Sequence, residues 1–209
     1  MSLLPQWIRS DVARGRALGR AFRKEVLEAN NLLWDKRAAV DHTAVSAEVL
    51  NELNRRRFFS LWLPKFLGGG GLSPLSYLAM TEEVAEGCLG TANILGAHYV
   101  ALALASATDD LKTLRFLTGR IRRGEIDGRP CVLATAITEP DAGSDLEDWD
   151  LLPAAKVQTK CTRTDTGFTL NGSKQFISNA PYASWFVVSA FEELAKPRYP
   201  APCRAKPYS

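Results

Sequence analysis

Thr135 to Asp145 reads T-A-I-T-E-P-D-A-G-S-D, and Asn171 to Ala180 reads N-G-S-K-Q-F-I-S-N-A. The first segment grows out of a short apolar run with β-branched residues that begins at Cys131, so a strand is predicted to end at Thr138. A loop with Pro140, Gly143 and Ser144 follows. Gly143 lets backbone approach a ligand closely, and the N–H groups of such a loop, with the Ser144 hydroxyl, can hold phosphate oxygens. A solvated acidic turn is the plainer reading of the same residues. Glu139, Asp141 and Asp145 are paired-carboxylate candidates in principle, but none has a visible partner that would tune it. Glu139, beside Pro140, reads as a structural hydrogen-bonding residue rather than a general base.

Outward from there, the C-terminal part carries strand signals. Lys156 to Arg163 alternates, Gln175 to Ser178 and Trp185 to Ala190 are further candidates, and Asn171-Gly172 is a hairpin-turn signal because both residues tolerate positive φ. Upstream the chain reads as helical. Val45, Val49 and Leu53 recur every four residues among charged neighbours, the stripe of an amphipathic helix. Gly68 to Gly71 cannot continue a helix cheaply and make a loop. Ser73 as N-cap and Pro74 at the first helical position open a helix whose face carries Tyr77, Met80 and Val84. Ala92 to Ala107 is apolar nearly all round, which predicts a central helix too short to span a bilayer. His98 within it reads as a satisfied core histidine. Leu111, Leu114 and Leu117 mark a last helix, with Arg120, Arg122 and Arg123 near its C-terminus, where cations suit the helix dipole.

The 26 basic and 23 acidic residues give a formal charge of +3. The excess sits at the end: Lys196, Arg198, Arg204 and Lys206 meet no acid there. The body is near neutral, which gives no basis for a nucleic-acid surface. The segment from residue 192 on, rich in proline, is expected to be a disordered tail. Cys88, Cys131, Cys161 and Cys203 form no C-x-x-C pair, and neither His42 nor His98 is spaced with them as a metal ligand would be. Reduced thiols and a cytoplasmic location are expected, with no membrane span and no signal peptide.

Thr138 to Asp145 resembles the T-E-P-x-A-G-S-D segment of acyl-CoA dehydrogenases. Asn171 to Asn179 resembles their N-G-x-K-x-(aromatic)-I-(Ser/Thr)-N segment, and Leu63 to Ser73 their P-x-x-(aromatic)-G-G-x-G-L-S loop. The resemblance covers about Val45 to Phe191. It implies an α+β protein: an N-terminal all-α helical domain over residues 1–129, then part of an antiparallel β-barrel or sandwich domain over 130–191. It implies FAD as cofactor, bound by Thr135, Ala136, Ile137, Thr138, Gly143, Ser144, Phe176, Ile177 and Ser178. The backbone of Ile137 and Thr138, with the Thr138 hydroxyl, would face the flavin pyrimidine edge. Phe176 would stack on the flavin flank, Ser178 would reach N5, and Ser144 would reach the flavin diphosphate or the phosphate-side portion of bound substrate.

The activity so implied is α,β-dehydrogenation of an acyl-CoA, as in fatty acid β-oxidation, with a separate electron-transfer acceptor. No catalytic residue of the family falls in this sequence, because its glutamate base belongs to a C-terminal helical domain. The chain is therefore expected to be incomplete and inactive alone. An oligomer, or a partner chain supplying that domain, is expected. Two other readings stay open: a non-catalytic subunit or remnant that binds a partner chain, and an acyl-CoA oxidase or flavin monooxygenase of the same fold.

Overall fold

The computed structural model describes residues 5–107, 110–146, 148, 150–151 and 154–193. Residues 194–209 of the expected basic tail, Cys203 among them, lie outside these, as does the side chain of Val45, while Glu192 and Glu193, expected in that tail, belong to a strand. Two compact units are present: Met1–Thr135 with Ser178–Val187, and Ala136–Ile177 with Val188–Ser209.

The larger unit is built on helices α1 (Gln6–Phe22), α2 (Glu28–Ala38), α3 (His42–Arg55), α4 (Pro74–Gly87), α5 (Leu89–Ala107) and α6 (Leu111–Asp127). Strand β1 (Val132–Ala136) pairs with β4 (Ala183–Val188). The core takes Phe22, Leu53, Phe59, Met80, Leu95, Leu102, Ile121 and Leu133, all essentially sealed from water. Val49 and Leu53 of the predicted stripe are buried. Helix α4 starts as the sequence predicts: the Ser73 side chain accepts the Ser76 N–H at 3.2 Å, and Pro74 opens the first turn.

Helix α1 lies against α4 through Gly15 and Gly19, one turn apart. A Cβ at Gly15 would fall 2.1 Å from the Ser76 carbonyl oxygen, and one at Gly19 would fall 2.4 Å from that of Met80. Both obstacles are helix backbone and cannot swing aside. Beside this contact, Glu83 is only 2 % exposed, and its carboxylate receives Arg20 at 2.7 Å and Arg23 at 3.3 Å. Chiefly the hydrogen bond from Arg20 holds it below the usual carboxylate range. Gly15→Ala is expected to destabilise the protein by about 1–3 kcal/mol through overpacking. The gain of roughly 1 kcal/mol in helix propensity does not offset this. Urea unfolding checks it: a stabilised Gly15→Ala protein would mean the two helices are not held this close.

Helix α5 differs from expectation in two ways. It runs 19 residues from Leu89 and is long and apolar enough to cross a membrane by length and composition. It is also buried on one side only. Thr91, Ala92, Leu95, His98, Tyr99, Leu102 and Ala105 form the buried stripe, while Leu89, Val100 and Leu104 reach solvent. The stripe follows helical spacing, as for a helix packed into a protein core.

In the smaller unit, β2 (Lys160–Thr164) pairs antiparallel with β3 (Gly167–Asn171) and parallel with β5 (Phe191–Glu193). The sheet is mixed, so the expectation of an antiparallel barrel or sandwich is corrected here. β5 is not joined to β2 by a hairpin; the chain first leaves for the larger unit and returns, and such a connection allows parallel entry. The hairpin turn also lies elsewhere than predicted. Thr164 pairs with Gly167, so Asp165 and Thr166 form a two-residue loop. Asn171 ends β3. Gly172 is required for space: a Cβ there would lie 2.4 Å from Thr159 Oγ1. Residues 175–178 are not a strand, and positive φ explains why: Phe176 stands at φ 55 and Asn179 at φ 67.

Candidate functional site

Most of the residues named from the sequence fall in the smaller unit. Ala136 ends β1 and is buried, Ile137 and Thr138 are half-buried, and a tight turn then closes from Glu139 to Ala142. The Gly143 N–H is capped by the Asp145 carboxylate at 2.5 Å, and Ser144 is exposed at the start of a 3-10 turn, Ser144–Leu146. The two motifs meet by backbone: the Gln175 N–H donates to the Thr138 carbonyl at 2.9 Å, and the Gln175 side chain donates to the Glu139 carbonyl at 3.1 Å. Thr138 is thus brought beside the segment that carries Phe176 and Ile177.

The centre of this junction is a pair that sequence reasoning missed on one side. Lys174 Nζ donates to Glu139 Oε1 at 2.7 Å, to the Ile137 carbonyl at 2.9 Å and to Ser189 Oγ at 3.1 Å. Both side chains are sheltered, at 10 % and 1 % exposure. The Glu139 carboxylate also accepts the N–H groups of Gln158 and Thr159. Burial pushes its pKa up, but the lysine and the backbone donors outweigh that and hold it at about 2. A carboxylate so fully engaged is a poor proton acceptor, which agrees with a structural role. The signal for Lys174 in the sequence was its place as the lysine of the N-G-x-K segment, which names no partner for it; a buried lysine needs an acid, and none stands near it in sequence.

These bonds also restrict what Ile137 and Thr138 can offer. Their carbonyl oxygens already accept from Lys174 and from Gln175. Two further features leave room for a ligand. A Cβ on Gly143 would meet nothing in the protein nearer than Thr138 Cγ2 at 3.8 Å, so packing alone does not demand glycine there. Phe176 is 86 % exposed although its backbone holds positive φ, a conformation that is unfavourable for a large side chain.

In the larger unit, Thr135 is half-buried, and its Oγ1 is sealed from solvent with no hydrogen-bond partner among the described residues. Ser178 is exposed. Around them lies an arrangement that the sequence did not reveal. The Leu133 N–H donates to His98 Nδ1 at 3.1 Å, and Asn179 Nδ2 donates to the Leu133 carbonyl at 3.2 Å and the Ile94 carbonyl at 2.9 Å. Since His98 Nδ1 accepts, Nε2 carries the hydrogen and donates to the Phe59 carbonyl at 3.0 Å. His98 is therefore the satisfied core histidine predicted; burial lowers its pKa to about 4.

Comparison with known proteins covers most of the chain. The model for "Acyl-CoA dehydrogenase, N-terminal domain" matches residues 15–121, and that for "Acyl-CoA dehydrogenase, middle domain" matches residues 134–201. A probable medium-chain specific acyl-CoA dehydrogenase of Caenorhabditis briggsae is 26% identical over 181 residues, covering 86% of this chain and 40% of the relative. Benzylmalonyl-CoA dehydrogenase of Aromatoleum aromaticum is 32% identical over 160 residues, covering 73% and 38%. The solved butyryl-CoA dehydrogenase of Megasphaera elsdenii superposes with a TM-score of 0.66 at 26% identity, covering 91% of this chain and 45% of that one. The chain spans about two fifths of the length of the curated relatives it matches.

Proposed function

The chain belongs to the acyl-CoA dehydrogenase family, and on that premise we propose that it forms the flavin-cradling part of an FAD-dependent acyl-CoA dehydrogenase. The observation that carries this reading is the pairing of an open, strained aromatic with donors beside it: Phe176 at φ 55 and 86 % exposed, next to the segment bonded to Thr138. The open side of Gly143, in the same unit as Phe176, fits a bound ligand too.

The reaction removes a proton from the α-carbon of the thioester and a hydride from its β-carbon, leaving an α,β double bond. FAD supplies the hydride acceptor when bound. The residues present contribute binding and orientation. Donors from Ile137 and Thr138 favour negative charge on a ring edge placed against them. Phe176 offers a stacking face, Ala136 and Ile177 shape the wall, and the Thr135 and Ser178 hydroxyls can hydrogen-bond to the ring. Gly143 and Ser144 serve phosphate oxygens, of the cofactor or of the acyl-CoA. The α-proton is not assigned to Glu139, which lysine and two backbone donors keep ionised and occupied. An acyl-CoA as substrate and a separate electron-transfer acceptor complete the proposal.

Phe176→Ala tests the cradle without disturbing the core, because the ring is already exposed. FAD affinity is expected to fall by up to about tenfold, the order of one aromatic stacking contact, with unfolding unchanged. Unaltered affinity would place the flavin elsewhere.

A further inference from the structure

We infer that Asn179 is a positioning residue which, together with His98, locks β1 at Leu133 and so fixes the hydroxyls of Thr135 and Ser178 in the proposed flavin cradle. The inference rests on the flavin reading for its functional consequence, though not for the clamp itself.

Both backbone polar groups of Leu133 are claimed by side chains. His98 takes the N–H at 3.1 Å, and Asn179 donates to the carbonyl at 3.2 Å. Leu133 is fully buried, so neither group can turn to water. The Asn179 amide also reaches the Ile94 carbonyl at 2.9 Å, one turn before His98 on α5. Its orientation is unambiguous, since two carbonyls can be met only by the NH₂ end. A single side chain thus ties α5, β1 and residue 178 to one point.

Position supplies the functional link. Thr135 lies two residues after Leu133 on β1, and Ser178 immediately precedes Asn179. The left-handed backbone at Asn179, φ 67, ends the second motif and suits asparagine better than most residues. Losing the amide leaves the buried Leu133 carbonyl without its side-chain donor and takes from the Ile94 carbonyl its bond beyond α5, and the strand and the turn are then free to shift against each other.

Two variants separate the amide from its backbone and its shape. Asn179→Gly keeps the left-handed conformation accessible and deletes the donor. Asn179→Asp keeps the shape and replaces the donor with oxygens that face two carbonyls. FAD affinity is expected to fall by about tenfold in Asn179→Gly, the order of one net hydrogen bond, and further in Asn179→Asp. A residue that only filled space would leave Asn179→Asp at wild-type affinity. Amide exchange of Leu133 in ligand-free protein supplies the independent arm, expected about tenfold faster in Asn179→Gly. Unchanged exchange at Leu133 overturns the clamp. Faster exchange with unchanged FAD affinity overturns its role in the cradle. If the unsubstituted protein takes up no FAD, the flavin reading and the consequence for the cradle fall together, and the exchange rates still decide the clamp.

Discussion

Lys174→Met is expected to remove about 3–5 kcal/mol of stability, the cost of leaving a buried charge without its partner. The lysine is 10 % exposed, and it is the cation facing Glu139, whose side chain is 1 % exposed. Two backbone N–H groups remain on the carboxylate, from Gln158 and Thr159, but neither carries a full charge. The variant also removes the ammonium's bonds to the Ile137 carbonyl and to Ser189 Oγ, leaving Ser189 only its long 3.5 Å bonds to the Ala136 and Ile137 carbonyls. Glu139→Gln in the same background should recover part of the loss, because the neutral amide no longer needs a counter-charge. Urea unfolding of the four proteins measures the coupling directly. A loss below about 1 kcal/mol would put the pair in the class of surface ion pairs and contradict its role as the junction of the two motifs.

The second large effect is a loss of stability in mild acid. His98 has its pKa lowered to about 4 by complete burial, against an ordinary value of 6.5. Between those values the unfolded chain binds a proton at His98 and the folded chain does not, so stability rises with pH across that window. The contribution is fully present above pH 6.5 and gone below about pH 4, a loss of about 3 kcal/mol. Protonation also removes the acceptor that His98 Nδ1 presents to the Leu133 N–H. Glu139 continues the trend at lower pH: its contribution is present above pH 4.5 and lost as pH falls toward about 2. Glu125 acts with the opposite sign, since burial raises its pKa and the folded state binds its proton first. His98→Gln isolates the histidine. Its urea midpoint should be nearly flat from pH 6.5 to 4 relative to the parent, and an identical pH dependence in the two proteins would refute the assignment.

What the sequence made legible was local. Ser73 and Pro74 carry the α4 start in their own side chain and ring, and Glu139 beside Pro140 reads as structural from its neighbours in sequence. The residues proposed to face the flavin are named only by resemblance, because neither the exposed ring of Phe176 nor the orphaned Thr135 hydroxyl leaves a trace in periodicity. Asn171-Gly172 misled, since its turn chemistry is real but Gly172 is set by the close approach of Thr159. The Lys174–Glu139 pair joins residues 35 apart, and the Asn179–Ile94 bond joins residues 85 apart. Contacts at such separation are decided by tertiary packing. The parallel entry of β5 has the same origin, a strand placed by where the chain returns from and not by its own residues.

The flavin cradle is the central claim, and a spectroscopic titration of FAD into the purified protein tests it most directly. Weak but saturable binding with a perturbed visible flavin spectrum, weakened further in Phe176→Ala and in Asn179→Gly, is the predicted result. An unperturbed flavin spectrum at millimolar FAD, or binding indifferent to both substitutions, would contradict it.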